Sequence, residues 1–346
     1  VGIDEAVPFA LPLTRRFRGT ELREGMLLRV GGSWGEWAPF PEYDDATAAR
    51  WLAGALEAAR GEWPEPRRRH VAVNAIMPAL TDLADITARV LDAVAADGCT
   101  VVKVKVAEPG QDFASDVARV AAVRAALDDA GAESGRIRVD VNAAWTVEQA
   151  AERLPVLDDL AGGLEYAEQP CATTAELVEL RRHGTGVRVA VDEGVRLHAD
   201  LDDEAVDQIR AAADVLVLKS TPLGGVRRSL DLARRIGLPA TVSGALDSSI
   251  GLAAGLALAG ALDETPYACG FGTGRLLADD LTAETSLPAD GRLSVVRTSP
   301  APDPARLAAA RARVPADRAA WWNERLERTL ALLGPGAPGS QDGVRP

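Results

Sequence analysis

Eight short runs rich in Val, Ile and Leu recur down the chain, at 70–76, 100–106, 136–141, 163–168, 187–191, 214–219, 239–243 and 266–270. No other feature restricts the fold as tightly. Between them lie amphipathic stretches of helix length, near 82–97, 113–130, 147–160, 174–183, 199–210, 225–236 and 248–260. Near-continuous apolar strands need cover on both faces, which a parallel sheet obtains from its own crossover helices. Eight such units in about 200 residues predict an α/β fold, a small (β/α) barrel, with a doubly wound open sheet as the runner-up.

The flanks follow other rules. Residues 3–39 alternate apolar and polar side chains around Gly-containing turns, as an antiparallel meander does, and Asp45 to Arg60 carries Ala48, Trp51, Leu52, Leu56 and Ala59 at helical spacing. Residues 1–69 are therefore expected to form a smaller α+β domain, and 70–300 the barrel. A helical segment within 301–333, with Trp321, Trp322 and Leu326, is expected to return to the N-terminal meander. The Gly/Pro-rich stretch 334–346 is expected to be a disordered tail.

Charge and composition narrow the partners. A net charge of −13 disfavours nucleic acid and anionic membranes, and the Arg67 to Arg69 triplet reads as a solvated face. The longest small-apolar run, Ile250 to Leu262, is too short for a bilayer span, and no leader pattern opens the chain. Cys99, Cys171 and Cys269 are odd in number and lack metal-type spacing, so buried, reduced thiols and a cytoplasmic location are expected. The histidines, His70, His183 and His198, read as surface or capping residues, which disfavours Ser-His and Cys-His nucleophiles. The oligomeric state stays open, a monomer included.

Of the 38 Lys and Arg residues only Lys103, Lys105 and Lys219 are lysines, and each lies in or ends an apolar run. An ammonium can give up its proton at moderate pH; a guanidinium cannot. Lys103 and Lys105 are two apart on one strand, face the same side and depress each other's pKa, so one of them is a candidate neutral base. Asp140, Glu168 and Asp192 end the next three runs, and from Lys105 the steps through these acids to Lys219 are 35, 28, 24 and 27 residues. Each step is one β/α unit, which gathers all these groups at the carboxyl-end rim where barrel active sites are built. Three carboxylates without Cys or His suit Mg²⁺, or Mn²⁺, rather than zinc. A substrate carboxylate on such an ion would lie between two lysine faces, placed for removal of an α-proton. Arg138 shares the inward face of Asp140 and either bridges the carboxylates or meets an anionic substrate, the structural role being favoured; Asn142 is a candidate donor to a ligand. Gly270 to Gly274 reads as a loop after the last strand that binds an anion through backbone N–H groups.

The pattern of Lys-x-Lys, then Asp, Glu, Asp and Lys on successive strands resembles the enolase superfamily, in its muconate lactonizing enzyme subgroup, whose Lys base and Mg²⁺ are a standard case of tuned acid–base chemistry. Trp34 to Pro39 is similar to the signature ending that family's N-terminal capping sheet. Phe17-Arg18-Gly19 with Arg23 to Gly25, Ala38 to Tyr43, and Ser243 to Ser249 resemble the o-succinylbenzoate synthase family within the subgroup. The resemblance implies that Asp140, Glu168 and Asp192 bind Mg²⁺, with Glu193 following the third ligand. It further implies that Lys105 is the base, that Lys219 stabilises an enediolate, that Lys103 lowers the pKa of Lys105, and that Ser243 and Gly244 meet a succinyl carboxylate. The implied partner is a small carboxylate, 2-succinyl-6-hydroxy-2,4-cyclohexadiene-1-carboxylate, dehydrated in menaquinone biosynthesis. An N-succinylamino acid racemase or dipeptide epimerase is the close rival; a metal-free Schiff-base aldolase and a non-catalytic barrel are the more distant ones.

Overall fold

The computed structural model describes residues 2–17, 19–61, 63–197 and 202–334. The expectations stated for Arg18, for His198 and for the tail beyond Gly334 lie outside the described residues. The N-terminal meander is a three-stranded antiparallel sheet of β1 (Glu5–Phe17), β2 (Thr20–Val30) and β3 (Ser33–Trp37). One face, with Met26, Leu28 and Trp37, packs on α1 (Asp45–Arg60) through Trp51, Leu52 and Leu56. Asp44 starts this helix by accepting the Thr47 N–H at 2.7 Å, and Gly61 ends it at φ 68°. A Cβ on Gly35 would come within 2.0 Å of the Ala55 carbonyl oxygen, so only glycine lets α1 lie this close to β3.

The first barrel run divides in two. β4 (His70–Ala72) pairs antiparallel with β12 (Arg292–Ser294), and only β5 (Ala75–Met77) joins the parallel sheet. From there strands and helices alternate: α2 (Leu83–Ala95), β6 (Val101–Lys105), α3 (Phe113–Asp129), β7 (Arg136–Asp140), α4 (Val147–Ala161), β8 (Leu164–Glu168), α5 (Thr174–Arg182) and β9 (Val189–Val191). A short α6 (Glu193–Arg196) precedes α7 (Asp203–Ala212), and β10 (Val215–Leu218), α8 (Val226–Ile236), β11 (Ala240–Val242) and α9 (Ser249–Ala261) complete the series. Strands β5 to β11 lie side by side in chain order. The expected eighth strand at 266–270 contributes a few backbone contacts in place of a ladder. Cys269 N–H donates to Ala72 O and Asn74 N–H to Cys269 O, while Gly270 N–H donates to Val242 O and Gly244 N–H to Gly270 O. These bonds join the two edges of the sheet and close the barrel.

Alternation along the strands sorts side chains into two layers. Val102, Val104, Ile137, Val139, Val189, Val191, Leu216 and Leu218 point out into the main core under the helices. Lys103, Lys105, Arg138, Asp140, Tyr166, Glu168, Ala190, Val215 and Val217 take the intervening positions and fill the barrel. Their order along the axis separates the chemistry, with Tyr166, Ala190, Val215, Val217 and Tyr267 packed together below the charges.

The segment 301–333 forms α10 (Pro304–Ala312) and, after a break near Pro315, α11 (Ala316–Leu333), the helix that carries Trp321, Trp322 and Leu326. Trp322 is fully buried on α11 and packs edge-on to Trp37 at 5.6 Å, and Arg325 reaches the carbonyls of Phe40 and Tyr43. Both flanks of the chain thus build one cap. It is tied to the barrel by Glu36, whose carboxylate accepts from the Ser248 N–H and hydroxyl, and by Arg23, which donates to Leu246 O at 2.9 Å and to Ala38 O. Burial, then the neighbouring Asp247, pushes the Glu36 carboxyl up to about 7, against the pull of Arg23.

Two stability outcomes follow from the cap. Trp322→Ala should cost about 3–5 kcal/mol in urea unfolding, the usual cost of emptying a buried Trp site; a loss within the error of the titration would refute the packing role. Between the ordinary 4.5 and about 7, folded Glu36 keeps a proton that the unfolded chain releases, so its contribution falls as pH rises and is level above 7. Relative to wild type, Glu36→Gln should therefore gain stability across that window and hold a constant difference above it; a difference independent of pH would count against the assigned shift.

Candidate active site

Register places the charged groups. Lys105 is the parallel partner of Asp140, and Asp140 of Glu168, so three adjacent strands end in one layer of ionised side chains. Asp192 follows β9, and Lys219 follows β10 on the far wall, four strands along the sheet from β6. Lys103 Nζ lies 3.0 Å from Asp140 Oδ2 and 3.0 Å from Glu168 Oε2, Lys105 Nζ 2.5 Å from Asp140 Oδ2, and Lys219 Nζ 2.5 Å from Asp192 Oδ2. The three carboxylates are at most 1% exposed and the lysines at most 8%. Groups this deep can carry charge only where partners of the opposite sign offset the burial.

The pKa directions follow from that packing. Burial opposes the Lys103 ammonium, yet Asp140 and Glu168 overcome it and hold its pKa above the ordinary range. Lys105 is lowered, burial being the largest cause, Asp140 opposing it and Lys103 reinforcing it. Like-charge repulsion, the cause expected from the Lys-x-Lys spacing, is thus secondary to desolvation. Burial would raise Asp140 and Asp192, but Lys103 and Lys105 outweigh it at the first, and Arg196 and Lys219 at the second, so both fall below the usual carboxylate range. Glu168 is raised, by burial and then by Asp140.

A cavity opens above this layer. Lys103, Lys105, Asp140, Asn142 and Lys219 form its floor, and Ser243, Gly244, Leu246, Gly270 and Thr273 one wall. Phe17 and Phe40 contribute from the cap, Phe17 with its ring centroid 5.8 Å from Lys105 Nζ. Glu168 is drawn onto Lys103, and Asp192 onto Lys219. Asn142 accepts from Lys105 and reaches Glu193 at 3.4 Å. Arg138 stays out of the cavity lining. Its guanidinium, fully buried, donates to Glu165, to Asn74 Oδ1 at 2.9 Å and to Ala268 O at 2.7 Å, and it stacks 4.7 Å from the Tyr166 ring. It therefore braces the barrel interior and touches the site only through Asn74, which lines the cavity.

Among the described residues no three acidic or His/Cys side chains converge closely enough to enclose an ion, because the ammonium groups hold the carboxylates apart. The donor set nonetheless fits a hard divalent cation: three buried carboxylates, all oxygen, on consecutive strands.

Some contributors escaped the sequence reading. Gln169 Oε1 accepts the Asp192 N–H at 3.0 Å and the Gly194 N–H at 3.1 Å, fixing the turn after β9. Its backbone is left-handed at φ 41°, as is Asn142 at φ 49°, a conformation that strand periodicity does not signal. Arg196 binds Asp192 at 3.1 Å and Glu193 at 2.7 Å and donates to the Tyr43 hydroxyl of the cap at 2.9 Å. Its i,i+3 and i,i+4 spacing from those acids was the available signal.

Residues 8–59 match the family model described as Enolase N-terminal domain-like, and 85–302 the one described as Enolase C-terminal domain-like. An o-succinylbenzoate synthase of Thermobifida fusca is 49% identical over 92% of this chain and 97% of its own, and one of Mycobacterium leprae 44% identical over 99% and 96%. The muconate lactonizing enzyme of Pseudomonas putida superposes with a TM-score of 0.72 over 88% of this chain and 98% of its own, at 20% identity, which speaks for the fold. By its two domain matches and by these near full-length relatives, the chain belongs to the o-succinylbenzoate synthase family of the enolase superfamily.

Proposed function

We propose that this chain is a Mg²⁺-dependent hydro-lyase that converts 2-succinyl-6-hydroxy-2,4-cyclohexadiene-1-carboxylate into 2-succinylbenzoate and water, in the cytoplasm, within menaquinone biosynthesis. One observation carries the reading: lysines on opposite walls of a closed barrel, Lys105 and Lys219, flank buried carboxylates beneath a cavity. Family membership supplies the substrate.

Lys105 is the base. Its lowered pKa favours the neutral amine, which takes the proton from the carbon bearing the ring carboxylate. The electron pair passes into that carboxylate as an enediolate, then back toward the ring as the hydroxyl leaves from the neighbouring carbon. Lys105 returns its proton to that hydroxyl on the same face, so water departs, the ring becomes aromatic and the amine is regenerated. Lys219, across the barrel, holds the developing negative charge as an ammonium. Lys103 lies between Asp140 and Glu168, draws both carboxyl pKa values down and lowers that of Lys105. Asp140, Glu168 and Asp192 would hold the divalent cation, with Glu193 and Asn142 beside them; when bound, it supplies positive charge against the substrate carboxylate. Mn²⁺ has the same donor preference and is the expected substitute. Ser243 and Gly244 lie in the cavity wall where the succinyl tail would extend. Arg138 acts in this scheme by anchoring Asn74.

The expected activity is dehydration of the cyclohexadiene acid in Mg²⁺ that EDTA abolishes. Lys105→Ala should lower turnover by at least about 10²-fold, and Lys219→Ala by about 10²–10³-fold, the loss seen when a transition-state charge stabiliser is removed. Turnover that survives chelation, or an unaffected Lys105→Ala, would overturn the scheme. Exchange of the α-proton of N-succinyl amino acids in deuterated water, faster than dehydration, would transfer the assignment to a racemase.

A further inference from the structure

Polar side chains buried in a folded chain nearly always find partners, because an unpaired donor or acceptor loses its hydration for nothing in return. Thr273 departs from this. It is 7% exposed, and its hydroxyl is buried without a hydrogen-bond partner. Among the described residues with such an orphaned side-chain atom, it alone lines the cavity above the lysines.

Its surroundings are built for close approach. Thr273 lies in the 3-10 turn Gly272–Leu276, just after the Cys269 and Gly270 contacts that close the barrel. A Cβ on Gly244 would lie 3.3 Å from Thr273 Oγ1, and a Cβ on Gly270 2.5 Å from Ser243 Oγ, so two bare glycines separate two hydroxyls. Ser243 is itself loosely held, with 3.4 Å contacts to the carbonyls of Gly244 and Gly270. An acid is close by, Asp247 lying 3.1 Å from that Gly244 Cβ, but its carboxylate accepts the Ala245 N–H at 2.7 Å. Ile76 and Leu246 make the neighbouring wall apolar. Of the cations needed for the ring carboxylate, Lys103 and Lys105 stand across the barrel on β6, while Lys219 ends the strand beside Ser243. This end offers neutral donors to a second, distal acceptor.

We propose that Thr273 is a substrate-binding residue whose hydroxyl, together with that of Ser243, donates to the terminal carboxylate of the substrate's tail and so selects for a dicarboxylate. The proposal rests on the dehydratase reading for the identity of that tail.

The test uses the Mg²⁺-loaded full chain as wild type, Thr273→Val and Thr273→Ser. Valine keeps the shape and removes the donor; serine keeps the donor. Each form is titrated calorimetrically with 2-succinylbenzoate and with 2-butanoylbenzoate, in which a methyl replaces the terminal carboxylate, and is assayed for KM and kcat. Thr273→Val should weaken 2-succinylbenzoate binding and raise KM roughly ten-fold, with a much smaller change in kcat, while Thr273→Ser stays near wild type. For 2-butanoylbenzoate the valine variant should match wild type, since there is no carboxylate to lose. Equal binding of 2-succinylbenzoate by valine variant and wild type, or an equal loss for both ligands, would overturn the proposal. If wild type binds 2-succinylbenzoate yet dehydrates nothing, the dehydratase reading fails, and the two titrations still decide the role of Thr273. Failure of wild type to bind 2-succinylbenzoate would sink both.

Discussion

Charge buried inside the barrel is the constraint to which the rest of the molecule is fitted. Lys103, Lys105 and Lys219 face Asp140, Glu168 and Asp192 in a layer almost closed to solvent, and neither set is tolerable there without the other. Packed apolar side chains would hold such an interior together equally well or better. The layer is therefore a structural cost carried for reactivity, and the protein surrounds it accordingly. Below, Arg138 is clamped by Glu165 and Asn74 and stacked against Tyr166, over a floor of valines. Above, the cap closes the mouth.

The division of labour follows from where each group is anchored. The proposed acid–base groups sit at strand ends, where the hydrogen-bonded ladder fixes position to within a rotamer. The rest of the cavity lining comes from the cap, through Phe17 and Phe40, and from the turns after the last two barrel segments. The Arg196 bridge from Asp192 to the Tyr43 hydroxyl joins the two sets, so the cap is held by a side chain that also neutralises a candidate ligand.

The sequence was most legible where one period ran undisturbed. Val101 to Lys105 and Arg136 to Asp140 alternate core-facing valine or isoleucine with inward charge, and both strands and all the charged positions lie where that alternation places them. It was least legible where backbone hydrogen bonds, not side chains, decide. Residues 70–76 carry one apolar run, yet only Ala75–Met77 enters the parallel sheet, because the first three residues pair with Arg292–Ser294. Cys269 and Gly270 read as strand but make only isolated bridges. Pro315 sets a break in the C-terminal helix that the apolar spacing of Trp321, Trp322 and Leu326 does not reveal. Gln169, a neighbour of Glu168, points away from the barrel axis by alternation and acts through a left-handed turn that no periodic pattern encodes.

One consequence concerns assembly. Among the described residues the cap sheet comes first in the sequence, and the helix that completes its core, through Trp322 against Trp37, comes last. Contacts so remote in sequence carry a large loop-closure entropy and form late. During synthesis the half-finished N-terminal sheet must wait for roughly 300 residues to emerge, while neighbouring β/α units can pair as they appear. The entrance of the reaction chamber is thus completed after its interior, and a chain released early would hold its charges in an open vessel.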